Sequence, residues 1–283
     1  VAIANTLDIA GCIIYIRHEE SYLVIASSNV PSEVKAKIPF IGQLRHDADG
    51  STNFDSHSFT DANSFFSGAE KIFLIESDRR FDSTCVGILV ASDMDTDQLS
   101  LVDTQFCEAI LGIIRRIFRL CGNPLDNGNN NIDYHQEAED IGVLVAFSVR
   151  LACQVNKVAL YSCLIEQNEY FASCGLESRV APAGDRMRFL GNQFVDFVKH
   201  ESGFLEPVLG NELTGEKYLC ITPFKSSSPE LGYLAVTSKN DVGFTLNELI
   251  ICKGLLSPLA YVMSLYREHC NGAGCETWQS DKE

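Results

Sequence analysis

Paired cysteines are missing from this sequence. Its 11 cysteines stand singly between Cys12 and Cys275 with no C-x-x-C among them, and many lie inside apolar runs such as "GCIIYI" and "YLCITPF". Free cysteine behaves as a small buried hydrophobe, so the pattern excludes a disulfide scaffold and points to a reducing, cytoplasmic compartment. Cations are scarce as well: 22 Lys and Arg against 38 Asp and Glu give a formal net charge of -16 and a pI near 4.7. A nucleic-acid surface needs clustered cations rather than a repelling field, and the same field opposes docking on an anionic membrane. No segment supplies the roughly 18 uninterrupted apolar residues of a membrane span. The chain opens at Val1 with neither Met nor a signal pattern, so a piece of a longer protein with an output domain elsewhere is expected.

What is present is repetition. With 283 residues, 46% of them apolar, the chain has room for two ordinary domains. "GCIIYIRHEESYLVIASSNVPSEV" from Gly11 shares its pattern with "KVALYSCLIEQNEYFASCGLESRV" from Lys157, an offset of 146 (157 minus 11). "EKIFLIESDRRFDSTCVGILVASDMDTDQLSLVDTQF" from Glu70 likewise matches "EKYLCITPFKSSSPELGYLAVTSKNDVGFTLNELI" from Glu216, again 146 apart (216 minus 70), and a single deletion then aligns Gly87 with Gly232. Each unit reads as two strands, a variable middle, a second hairpin and a closing helix. Asp93, Asp95 and Asp97 have the spacing of a calcium loop, but the glycine and glutamate that such a loop requires are replaced by Gln98 and Thr104. The second copy of that loop, "SKNDVGFT", has lost the acidic spacing, so the loop is read as a sheet-to-helix connection.

Between the copies, "CGNPLDNGNNNID" has a linker composition. The predicted organisation is a first domain over 1–122, a linker over 123–136, a second domain over 137–270 and a disordered tail over 271–283. Phe106, Ile110, Ile113, Ile117 and Leu120 form one helical seam, and Leu249, Cys252, Leu256, Leu259, Met263 and Tyr266 form another. Apolar residues off these seams (Ala109, Ile114, Leu246, Ile250, Leu255, Val262) call for a second partner, either the opening helix of the same domain or a second chain. Gly254 and Pro258 predict a kink in the closing helix.

This arrangement is α+β, and it resembles the GAF domain in tandem. The resemblance rests on "PELGYLAVTSKNDVGFTLNELIICKGLLSPLAYVM", which is similar to the family's ending of G-x-L-x-V, a loop, F-T-x-x-[DE] and an apolar helix, with Phe244, Thr245 and Glu248 in place. The first copy keeps Gly87 and Asp103 but has Leu99 and Ser100 for Phe-Thr, while "FVDFVKHESGFLEPVL" resembles the family's helix, glycine turn and strand. The resemblance implies two GAF-like domains, each a central antiparallel sheet flanked by helices, with a small-molecule pocket over the variable middle. It also implies a bacterial signalling protein with an output such as a histidine kinase, a cyclic-nucleotide phosphodiesterase or a cyclic-di-GMP enzyme. Of the cyclic-nucleotide signature, "SKNDVGFTLNE" keeps Lys239, Phe244 and Glu248 but reverses the Asn-Lys order. The bilin-attaching Cys-His dyad of phytochrome-type members is absent, and the family's haem-binding mode would draw on His18, His46, His57, His135, His200 or His269.

Candidate ligand residues come from the stretch where the copies differ most. Arg179, Arg186 and Arg188 could hold an anion by bidentate contacts or pair with Glu177 and Asp185 on the surface. Phe194, Phe197 and Phe204 could line a pocket or serve as core, and Cys174 opens the segment. In the first copy, "LRHDADGSTNFDSHSFTDANSFFSG" reads as a long polar loop, and His46, Asp47, Asp49 and His57 match no metal pattern. The expectation is a non-catalytic sensor with an unidentified ligand and no assigned cofactor, acting as a homodimer through its terminal helices. Two alternatives stand beside it: a structural dimerisation module with degenerate pockets, and a GAF-fold reductase using Cys85 and Cys174.

Overall fold

The computed structural model describes residues 6–7, 9, 11–18, 21–30, 57–59, 71–76, 84–92, 99–121, 132–162, 164, 171–176, 200–201, 218–225, 230–238 and 245–272. The chain divides into two compact units, Val1–Arg115 and Arg116–Glu283. The first contains β1 (Gly11–His18), β2 (Ser21–Ser28), β3 (His57–Phe59), β4 (Lys71–Glu76) and β5 (Thr84–Ser92), followed by α1 (Leu101–Leu120), whose last turns fall in the second unit. The second continues with α2 (Tyr134–Ala152), β6 (Lys157–Ser162), β7 (Ala172–Cys174), β8 (His200–Glu201), β9 (Tyr218–Lys225), β10 (Glu230–Ser238) and α3 (Leu246–Gly272).

Both sheets are antiparallel and share one topology. Their strand orders are β2-β1-β5-β4-β3 and β7-β6-β10-β9-β8, which superpose when five is added to each strand number. The architecture is therefore α+β, as the sequence pattern implies. Apolar runs mark the central strands: every residue from Gly11 to Ile16 in β1, from Val86 to Ala91 in β5 and from Leu231 to Val236 in β10 is buried. Successive side chains point to opposite faces, so unbroken burial means that both faces are covered. Edge strand β2 differs, leaving Leu23 and Ile25 exposed.

The structure corrects the alignment of the two copies. Tyr15 lies opposite Gly87 on β1 and β5, whereas its counterpart Tyr161 lies opposite Tyr233, and Gly232 faces Ser162. Across these two strand pairs the offset of 146 holds, so that Gly87 corresponds to Tyr233 rather than to Gly232, while β9 pairs with β10 one residue out of step with β4 on β5. The shared glycine misled the alignment because a strand pattern of period two tolerates a one-residue slip. The polar segment read as a long loop in the first copy supplies β3, whose His57 to Phe59 pair with Leu74 to Ile72 of β4. In the second copy, His200 and Glu201 pair with Leu219 and Tyr218 as β8, inside the stretch read as helix, glycine turn and strand.

Helix starts follow capping chemistry. At α3, Thr245 Oγ1 accepts from the Glu248 N–H at 3.3 Å, while the Glu248 carboxylate accepts from the Thr245 N–H. This reciprocal capping box satisfies two donors that a helix end would otherwise orphan. At α1, Ser100 Oγ accepts from the Asp103 N–H at 3.1 Å, so Leu99-Ser100 retains the cap without the Phe-Thr pair. Asp133 caps α2, accepting from the N–H groups of His135 at 3.0 Å and Gln136 at 3.2 Å.

The α2 C-terminus closes as a Schellman motif, with Val155 N–H donating to Arg150 O at 3.2 Å and Gln154 N–H to Leu151 O at 3.4 Å. Gln154 occupies the left-handed position at φ 50°, where glycine is the usual residue. An L side chain there costs about 1–2 kcal/mol, partly offset by the entropy that glycine loses on folding. Gln154→Gly is expected to stabilise the second unit by about 0.5–1 kcal/mol, read as a higher urea midpoint at an unchanged slope. A lower midpoint would mean that the Gln154 side chain makes a stabilising contact that outweighs the strain.

Candidate functional site

Among the seven ligand residues proposed from sequence, only Cys174 lies within the described residues. Arg179, Arg186, Arg188, Phe194, Phe197 and Phe204 lie outside them. Cys174 ends β7, opposite Val158 of β6, and is half-buried. Arg150, in the last turn of α2, donates from Nη1 to Cys174 Sγ at 3.5 Å. A guanidinium beside a thiol, at the point where the variable segment leaves the sheet, suits an anionic group. The sequence offered no signal for Arg150, because the contact joins residues 24 positions apart across a helix and a strand.

The helical layer of the second unit holds most of the described polar chemistry. The Tyr134 and His269 rings meet at a tilt of 46° with centroids 5.2 Å apart, His135 and Tyr266 meet edge-on at 5.7 Å, and Cys153 meets Cys252 at the other end. These three pairs run α2 antiparallel to α3. Gly142 lets α2 approach the sheet, since a Cβ there would lie 2.6 Å from the Phe171 ring. The second partner that the α3 pattern called for is therefore α2. Leu255 and Val262, off the main seam, are buried with it, while Ile250 stays 44% exposed. α3 continues as one helix through Pro258.

Beside Tyr134 lies a charge cluster. The Glu137 carboxylate, its side chain only 9% exposed, accepts from Arg116 Nη1 at 3.0 Å and pairs also with Arg119. Arg116 reaches Asp140 as well, at 2.7 Å. Two cations on one nearly buried carboxylate supply the pairing that its desolvation demands. This clamp pins the last turns of α1 to the start of α2, which explains why they belong to the second unit. Nearby, Cys121 Sγ and the Tyr261 hydroxyl are 3.5 Å apart.

Thiol environments differ along the chain. Cys12 and Cys107 are buried, and burial pushes both thiols up from their ordinary range, further for Cys107, where the Asp103 charge adds to the effect. Such thiols stay protonated and unreactive. Cys153 and Cys252 are also buried, but their sulfurs are 3.7 Å apart although the residues are 99 positions apart in sequence. No sequence spacing forces these two together; helix packing does.

No family model and no curated relative matches this chain. Among solved structures, it is similar to the GAF domain of an Acinetobacter phosphoenolpyruvate-protein phosphotransferase, at 20% identity and a TM-score of 0.38, over 56% of this chain and 95% of that chain. It is similar also to the chromophore-binding domain of a bacteriophytochrome from R. palustris, at 12% identity and a TM-score of 0.36, over 92% of this chain and 94% of that chain. A third similarity is to type II free methionine-R-sulfoxide reductase from Thermoplasma acidophilum, at 13% identity and a TM-score of 0.39, over 47% of this chain and 97% of that chain.

Among the described residues, no group of three His, Cys, Asp or Glu could hold a metal ion, and no helix is long and apolar enough to cross a membrane. Of the histidines considered for haem, His18 lies in β1, His57 in β3 and His200 in β8, while His135 and His269 lie in α2 and α3 against tyrosine rings. His46, Asp47 and Asp49 lie outside the described residues, as do Asp93, Asp95 and Asp97.

Proposed function

We propose that this chain is a non-catalytic sensory region: two GAF-like units in tandem that bind a small molecule and pass the occupancy signal through their helices to an output domain. The observation that carries this reading is the repeated topology. Two sheets of identical strand order are each followed in the chain by a long helix with a capped N-terminus. A repeated unit that ends in a helix suits relay of a ligand-induced shift, because a packed helix moves as a body.

The second unit is the proposed ligand site. Its pocket would use Arg179, Arg186, Arg188, Phe194, Phe197 and Phe204 of the variable segment with Cys174, and Arg150 joins this set by its contact with that thiol. Three or four cations in so acidic a chain favour an anionic small molecule. Occupancy would bias the packing of α2 on α3, and the chain would act as a homodimer through its terminal helices in a cytoplasmic, bacterial signalling protein. The output would be a kinase or a cyclic-nucleotide or cyclic-di-GMP enzyme.

Native mass spectrometry of the purified chain tests the proposal. The expected result is a dimer carrying extra mass that is lost on denaturation, with Arg186→Ala lowering the occupied fraction. A bare dimer that no anionic metabolite stabilises in a thermal-shift screen would instead indicate a structural dimerisation module. Turnover of free methionine sulfoxide with a thiol reductant, abolished by Cys174→Ser, would replace the sensory reading with a reductase.

A further inference from the structure

We propose that Cys153 and Cys252 are an oxidisable pair that closes to a disulfide on contact with a hydroperoxide, fastening the end of α2 to α3. The two sulfurs already touch at 3.7 Å, and the Cys153 thiol is also 4.0 Å from the Glu248 carbonyl in the first turn of α3. A bond requires the sulfurs to approach to about 2.05 Å. The motion has a source: Cys153 is the C-cap residue of α2, followed by the left-handed Gln154, and helix ends are where local opening is easiest. Such opening also admits a small oxidant to a pair that is otherwise buried.

The chemistry balances with the hydroperoxide as the sole co-reactant. Cys153 sulfur attacks one peroxide oxygen, the O–O bond breaks, and a sulfenic acid forms while the departing oxygen takes the Cys153 thiol proton and leaves as water or alcohol. Cys252 sulfur then attacks the sulfenic sulfur, the S–O bond breaks, the S–S bond forms and a water leaves with the Cys252 proton. Two thiols lose two electrons, and the peroxide O–O bond gains them.

The consequence is mechanical. The bond would join residues 99 positions apart, enclosing β6 to β10 and the whole variable segment in one covalent loop. Restricting the unfolded chain in this way stabilises the second unit, and it restrains the motion of α2 against α3. This proposal stands independently of any ligand in the second unit.

Treating the intact chain with hydrogen peroxide under native conditions, alkylating it after denaturation and mapping the peptides tests the pair directly. The expected product is a Cys153–Cys252 linked peptide that dithiothreitol releases, with an upward shift of the thermal midpoint on oxidation. Cys153→Ser and Cys252→Ala should each abolish that shift. Exposed Cys121 serves as the internal reference: if it is oxidised while Cys153 and Cys252 are both recovered as single alkylated thiols, the proposal is overturned. Linkage of either residue to a different cysteine would overturn it equally. Should a variant fail to fold, the peptide map of the unmodified chain decides alone.

Discussion

Gly175→Ala is expected to cost the second unit about 3 kcal/mol, a fall in thermal midpoint of roughly 6 to 12 °C for a unit of this size. Two effects combine at this residue. Gly175 has φ 79°, a left-handed conformation that costs an L residue about 1–2 kcal/mol. A Cβ would also sit 2.2 Å from the Asn156 carbonyl oxygen, which is backbone in the short turn between α2 and β6 and cannot swing aside. Overpacking of that kind adds about 1–3 kcal/mol. Gly175→Asn separates the two effects, because asparagine tolerates the left-handed region but carries the same Cβ. If the overlap dominates, Asn should be as damaging as Ala; if the dihedral dominates, Asn should recover part of the loss. Gly175 directly follows Cys174, so both variants should also disturb the contact with Arg150. A midpoint within 2 °C of the parent for Gly175→Ala would show that β7 can shift away from the α2–β6 turn.

Much of the fold was legible in the sequence because it is locally encoded. The offset of 146 exposed the repeated strand pairs, and the apolar seams of α1 and α3 marked their buried faces. Thr245 and Glu248, which entered only through the family resemblance, form the cap of α3 by hydrogen bonds. The same comparison separates motif from function: in both copies this signature is capping chemistry, so its presence says nothing about a ligand. What stayed illegible depends on long-range packing. Glu137 reads as an ordinary helix glutamate until Arg116 and Arg119 arrive from 21 and 18 positions earlier. Cys153 and Cys252 read as two isolated small hydrophobes until α2 and α3 lie antiparallel. The register between β6 and β10 could not be read either, since alternating patterns one residue out of step look alike. For the candidate pocket, the sequence named seven residues, and the structure adds Arg150 beside the one of them that it describes.

Gly87→Ala should be comparably damaging to the first unit, by about 3 kcal/mol. Gly87 sits in central strand β5 directly opposite Tyr15 of β1, and a Cβ there would lie 2.3 Å from Cζ and 2.4 Å from the hydroxyl oxygen of that ring. The ring lies across the glycine, covering backbone that a side chain would otherwise occupy. An exposed tyrosine could rotate away, but Tyr15 is 0% exposed, so moving it displaces packed neighbours. The clash is specific to the pair, which makes it separable from a general intolerance of the strand. Tyr15→Val alone should destabilise by leaving a cavity, while Tyr15→Val with Gly87→Ala should be less damaging than the sum, with a coupling of about 1–2 kcal/mol. Strict additivity in urea unfolding would mean that the ring does not restrict position 87. The second unit solves the same position differently, placing buried Tyr233 opposite Tyr161. One sheet topology therefore accommodates either a single aromatic over a glycine or two facing aromatics, and that exchange is what conceals the equivalence of Gly87 and Tyr233 when the two copies are aligned by sequence.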